Sequence, residues 1–235
     1  HANYFWILVM FVCMMVSHVL RAWRWRYLLA PIKPDIGLRN LFSGVMVGYL
    51  MNNILPRAGE LVRPYTIGKL EGVPKSAAFG TIVVERIMDT LSFVVLVVLV
   101  PLVYEGPLRE AFPWLERAGY IVACVTMAML AVAVVLMVRR DWTDGLLSVL
   151  KRVLPGKLMA TVDRMTHSFL DGFLFLKNPR DFLAILVQSV LIWFLYIVML
   201  YCAFYAFNLQ SLGFSAAVVV QAISSIGFAM PTPGA

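Results

Sequence analysis

Three short stretches set charged side chains against or inside apolar sequence, where an ionised group needs a partner or a task. The longest reads Asn52-Asn53-Ile54-Leu55-Pro56-Arg57-Ala58-Gly59-Glu60, with Arg63 and Pro64 just after it. Proline has no N–H to donate, and glycine tolerates backbone angles that other residues avoid, so Pro56 and Gly59 together predict a broken helix. Backbone groups freed in this way survive at membrane depth only inside protein or beside water. A guanidinium matches a phosphate bidentately, so Arg57 and Arg63 are candidates to hold a lipid phosphate. Glu60 can pair with either arginine or meet a cationic headgroup. A plain polar loop at the membrane interface is the competing reading of the same residues.

The second stretch is Glu85-Arg86 with Asp89. Glu85 and Asp89 are four residues apart, so they share a helix face, and Arg86 lies beside them. Two readings stay open: a proton- or headgroup-coupled site, or a structural ion network tying this helix to the Arg57–Arg63 loop. The third stretch interleaves Arg21, Arg24 and Arg26 with Trp23, Trp25 and Tyr27. Arginine and aromatic side chains at the end of an apolar run are expected as an interfacial anchor rather than a site. His18 and His167 have no partner at ligand spacing, and Cys13, Cys124 and Cys202 each stand alone in apolar sequence. Neither a metal set, a disulfide framework, a phosphate loop nor a nucleophile elbow is legible, which argues against cofactors and against an enzyme.

These groups must be positioned by elements that are mostly apolar. Of 235 residues, 61% are hydrophobic and 14% charged, where a soluble domain carries about a quarter charged residues. Lipid is therefore the expected solvent. The net charge of +7 then reads as a topology signal and a source of headgroup contacts, not as a nucleic-acid footprint. Apolar runs cover residues 4–20, 38–55, 87–103, 120–138, 182–207 and 214–230. The 87–103 run is preceded by a helical stretch from Ser76. Between 139 and 182, Leu158, Val162, Met165, Phe169, Phe173 and Leu176 recur at three- and four-residue spacing, the mark of an amphipathic helix.

Charge in the connections sets orientation. The 139–182 segment carries eight Lys/Arg and belongs in the cytoplasm, whereas 104–119, with two against three acids, belongs outside. Both flanks of the 38–55 run are basic and demand the same side, a conflict removed if that run enters the membrane and returns. The 214–230 run resembles it: Leu55-Pro56-Arg57-Ala58-Gly59 aligns with Met230-Pro231-Thr232-Pro233-Gly234. By the charge pattern these two Pro-x-x-Gly elements enter from opposite faces, as broken helices do in inverted-repeat transporters. The expectation is an all-α polytopic bundle forming one domain over 1–235. Its repeat halves are about 1–138 and 183–235, joined by the cytoplasmic segment 139–182.

The stretch Asn52 through Arg63 resembles a signature of the flippase-like membrane proteins related to the transmembrane domain of lysylphosphatidylglycerol synthase. Val84-Glu85-Arg86-Ile87-Met88-Asp89 resembles that family's second signature, and Arg24-Trp25-Arg26-Tyr27-Leu28-Leu29 its first basic-aromatic element. Pro231-Thr232-Pro233-Gly234 is similar to the start of its last element, where a further Gly and an acid usually follow; here Ala235 comes next. The resemblance implies movement of aminoacylated or anionic phospholipids, polyprenyl-linked sugars or hopanoid-type lipids between leaflets of the cytoplasmic membrane. It does not imply aminoacyl transfer, which belongs to a separate soluble domain. The residues expected to meet a headgroup or couple its movement are Asn52, Asn53, Pro56, Arg57, Gly59, Glu60, Arg63, Glu85, Arg86, Asp89, Pro231, Pro233 and Gly234. Two rivals stand beside transport: a membrane enzyme on a lipid-linked sugar or phosphate with Glu60 or Glu85 as general base, and a non-catalytic partner of a lipid-synthesis enzyme.

Overall fold

A computed structural model describes residues 3–103 and 171–229, with isolated positions between 120 and 168. Among the described residues all regular structure is helical: α1 (Tyr4–Leu29), α2 (Leu38–Ile54), α3 (Ala58–Glu71), α4 (Lys75–Val103), α5 (Pro179–Ala206) and α6 (Gly213–Ala229). Short 3₁₀ turns at Leu174–Lys177 and Gln210–Leu212 precede the last two. The fold class is therefore all-α. Among the described residues two helices, α1 and α5, are long and apolar enough to cross a membrane, with mean hydropathies of 2.0 and 2.5. The 120–138 run, most of the amphipathic 139–182 segment, and Pro231, Pro233 and Gly234 lie outside the described residues.

Local sequence explains the starts. The Asn3 side chain accepts a hydrogen bond from the Phe5 N–H at the head of α1. At α5 the Asn178 side chain accepts from the Arg180 N–H, Pro179 occupies the first turn and Asp181 supplies the acid that the helix dipole favours. The tail of α5 returns to the head of α1, where the Asn3 N–H donates to the Ala206 carbonyl at 2.8 Å. These two helices are thus antiparallel neighbours, and theirs is the most extensive pairing among the described elements.

Two expectations change. The 4–20 run does not stop at the basic cluster: α1 continues unbroken to Leu29. Its inner turns bury Arg21, Ala22, Arg24, Trp25, Leu28 and Leu29, the three- and four-residue spacing of one face, while Trp23 and Arg26 are exposed. The Arg57–Arg63 stretch is also not a loop. Residues 55–57 make a tight turn, and α3 then runs back along α2 as a helix.

This α2–α3 hairpin closes at both ends. At its turn, Gly59 donates its N–H to the Asn52 side-chain oxygen at 2.8 Å. At its open end the Glu71 carboxylate accepts from Asn40 at 2.6 Å and from the Lys33 ammonium at 3.0 Å. One apolar core, including Trp25, Leu28, Leu41, Val45, Ile67, Ile82 and Ile185, is shared by α1 through α5. A second, with Leu96, Val100, Val218 and Ala222, joins α4 to α6.

Candidate functional site

The polar centre of the molecule is a set of ion pairs where α1, α3, α4 and α5 meet. Glu85 on α4 is fully buried and is the hub. Arg63 from α3 donates to both of its oxygens, at 2.9 and 3.2 Å, the fork geometry that makes arginine–carboxylate pairs strong. Arg21 from α1 donates to the same carboxylate at 2.7 Å, Arg86 at 3.2 Å, and Arg24 stands 3.6 Å away. Asp89, one turn along α4, receives Arg24 at 2.7 Å and Arg21 at 3.2 Å, with Arg86 at 3.4 Å. From α5, Tyr196 accepts from Arg21 at 2.9 Å and Ser189 from Arg24 at 2.9 Å.

Arg21 and Arg24 are thus members of this network and not the interfacial anchors that their setting suggests. The sequence shows where they lie relative to an apolar run; it does not show that α1 rotates them inward against two carboxylates 64 and 65 residues away. One signal was available: 21, 24, 25 and 28 share a helical face with apolar residues, and a charge on a core face needs a counter-charge. Ser189 and Tyr196 carry no such signal, being single polar groups in a long apolar helix.

Arg63 reaches Glu85 through a slot that two glycines keep open. A Cβ on Gly48 would come within 2.6 Å of Arg63 Cγ, and one on Gly59 within 2.7 Å of the Asn52 side-chain oxygen and against the Gly48 carbonyl. Gly59 is therefore needed for close approach of the α2 and α3 backbones. The left-handed conformation that its neighbourhood predicts belongs instead to Arg57, at φ 60°, the residue that starts α3. The Arg63 guanidinium also lies over the Trp25 ring, 4.4 Å from its centroid, and Trp25 donates to Thr81 at 2.9 Å.

The remaining predicted residues divide. Asn52 caps α3, as described; Asn53 is exposed and donates to the Tyr49 carbonyl at 3.2 Å. Pro56 and Arg57 form the exposed tip of the hairpin. Glu60 lies not with Arg63 but 3.9 Å from Arg86 Nε. These two side chains are 35% and 43% exposed, so among the described residues the network is most accessible at this edge. His18 packs on the Tyr49 ring at 4.6 Å, and among the described residues no cluster of His, Cys, Asp and Glu has the makings of a metal site.

A helical membrane protein with a buried arginine–carboxylate centre agrees with the family comparison. The model of the lysylphosphatidylglycerol synthase transmembrane region matches residues 1–235, and the chain belongs to that family. A UPF0104 membrane protein from Methanothermobacter thermautotrophicus is 31% identical over 201 residues, 79% of this chain and 58% of the relative. Another, from Methanocaldococcus jannaschii, is 34% identical over 91 residues, 37% of this chain and 27% of the relative. The chain thus spans less than two thirds of the length of either relative. No solved structure matches.

Proposed function

We propose that this protein moves a lipid headgroup between the leaflets of the cytoplasmic membrane, as a multi-pass flippase or scramblase. One observation carries the reading: among the described residues an ion network set within the apolar helices is accessible at an edge between Glu60 on α3 and Arg86 on α4. Ser189 and Tyr196, which Arg24 and Arg21 reach, stand 10 and 17 residues into the 28-residue apolar α5, about 15 and 25 Å from its head at 1.5 Å per residue. Charges held at such depth are costly unless paired, and an accessible member of the set is a place for a passing headgroup. The α2–α3 hairpin, with both open-end segments beside Lys33, acts in this reading as a re-entrant element whose tip lies within the bilayer.

The enzymatic alternative draws less support from the same geometry. Glu85 is committed to guanidinium groups on three helices, which leaves it a poor general base; Glu60 is the more accessible carboxylate of the two.

The test is reconstitution into liposomes with acyl-labelled phospholipids and a membrane-impermeant quencher. Exchange between leaflets well above that of empty liposomes is the expected result. Equal exchange with and without protein would sink the transport reading.

A further inference from the structure

Two ammonium groups gather at one phenol ring near the end of α3, without an anion to match them. Gly72 ends the helix in the left-handed region, at φ 69°, and the chain turns so that Lys75, the first residue of α4, comes back to Tyr65. Its Nζ lies 4.3 Å from the centroid of the Tyr65 ring, and the Nζ of Lys69 lies 5.0 Å from the same centroid. Gly68 leaves room for this return, since a Cβ there would come within 2.9 Å of Lys75 Cγ. The acid of the same turn, Glu71, is engaged by Lys33 and Asn40. Among the described residues no carboxylate pairs with Lys69 or Lys75. The ring attracts each cation only weakly at an exposed site, and the like charges repel one another.

The surface that continues from them is apolar. Leu61, Tyr65 and Lys69 follow at four-residue spacing and form one stripe of α3. Leu61 and Tyr65 are 66% and 47% exposed and Lys69 is exposed, while Gly59, Arg63 and Ile67 on the other side of the helix are buried. From Lys69 to Leu61 the helix rises about 12 Å at 1.5 Å per residue. Along that length cations give way to an amphipathic ring and then to a bare aliphatic side chain. A phospholipid standing in a leaflet has the same order, phosphate first and acyl chain last.

We infer that Lys69 and Lys75, gathered at Tyr65, hold the phosphate of an anionic phospholipid in the leaflet at the open end of the hairpin, with an acyl chain along Leu61. The ammonium groups act on the phosphate as point charges, and the anion relieves their mutual repulsion. Phosphatidylcholine, which carries its own cation, is the weaker occupant; inorganic phosphate has no chain to lay on the stripe. The inference rests on the re-entrant placement of the hairpin given above, and not on transport itself.

Native mass spectrometry of the full chain, titrated in detergent with phosphatidylglycerol or phosphatidylcholine, tests it. Cross-linking with a phosphatidylglycerol that carries an acyl-chain diazirine locates the lipid. Phosphatidylglycerol should bind the more tightly and cross-link within residues 58–75. Lys69→Gln with Lys75→Gln should weaken phosphatidylglycerol about thirtyfold, the equivalent of about 2 kcal/mol at about 1 kcal/mol per basic side chain, and leave phosphatidylcholine unchanged. Lys69→Arg with Lys75→Arg should keep most of the affinity. Arg26→Gln with Arg39→Gln removes the same charge from two other exposed positions and should change little. A retained melting temperature shows that each variant is folded.

Unchanged phosphatidylglycerol binding in the Lys→Gln pair, an equal loss in the Arg→Gln pair, or displacement of the lipid by inorganic phosphate overturns the site. Leaflet exchange in liposomes is read apart from it. Lysine-dependent retention without exchange upholds the site while the transport reading falls. Exchange with retention indifferent to the lysines does the reverse.

Discussion

Glu85 receives hydrogen bonds from arginines on three different helices, so its charge is what keeps those cations in place. Replacing it with glutamine keeps the shape and removes the counter-charge, leaving Arg63 without an anion. Breaking one partner of a buried ion set costs about 3–5 kcal/mol, and Glu85→Gln should lower the melting temperature in detergent sharply. Asp89→Asn should cost less, because Arg21 and Arg24 keep Glu85 nearby. Arg63→Lys is not conservative: it loses the two-point contact with Glu85 and weakens the stacking on Trp25, and should lose a large share of what Arg63→Ala loses. A melting series in one detergent orders these variants; Asp89→Asn falling below Glu85→Gln would refute the hub assignment.

At the scale of the element, the α2–α3 hairpin depends on two bare backbones and on one latch. Gly59→Ala forces a methyl against the Gly48 carbonyl and the Asn52 side-chain oxygen, and overpacking of this kind costs about 1–3 kcal/mol. Gly48→Ala meets the flexible Arg63 side chain instead, so it should be milder in stability and more damaging to the Arg63–Glu85 pair. Thermal denaturation beside transport rate separates the two effects. At the open end, the Asn40 amide and then the Lys33 ammonium hold the Glu71 carboxyl below its ordinary range. A carboxyl depressed in the folded state stabilises above its unfolded pKa, and that contribution disappears as pH falls through the folded value. The melting temperature should therefore fall on the acid side, below the usual carboxylate range, and Glu71→Gln should lower stability at neutral pH while flattening that limb. An acid limb unchanged in Glu71→Gln refutes the latch.

The whole molecule adds a prediction about sidedness. The proposed re-entrant hairpin places the 30–37 connection and the 72–75 connection on one face of the membrane. In a background with Cys13, Cys124 and Cys202 changed to serine, Asp35→Cys and Pro74→Cys should react with an impermeant maleimide from the same side. Labelling from opposite sides would mean that the hairpin does not return. The network has its place at this scale too, since it joins α1, α3, α4 and α5. Such a centre can set the register of the helices and still keep one edge accessible.

Composition, run length and the three charged signatures were enough to determine the solvent, the helical class and the family, and they singled out Arg63, Glu85, Arg86 and Asp89 while leaving open whether these form a coupled site or a structural ion network. Apolar excess and helical spacing are local properties, and local properties are written directly in sequence. Which charges meet is not local. That Arg21 and Arg24 turn inward, that Glu60 comes near Arg86, and that residues 58–71 form a helix despite Pro64 were decided by packing. The α2 and α3 backbones approach closely only because two glycines face each other, and that approach carries Arg63 to Glu85. Once the hub is buried, every charge near it must find a partner across helices, which no reading along the chain could rank.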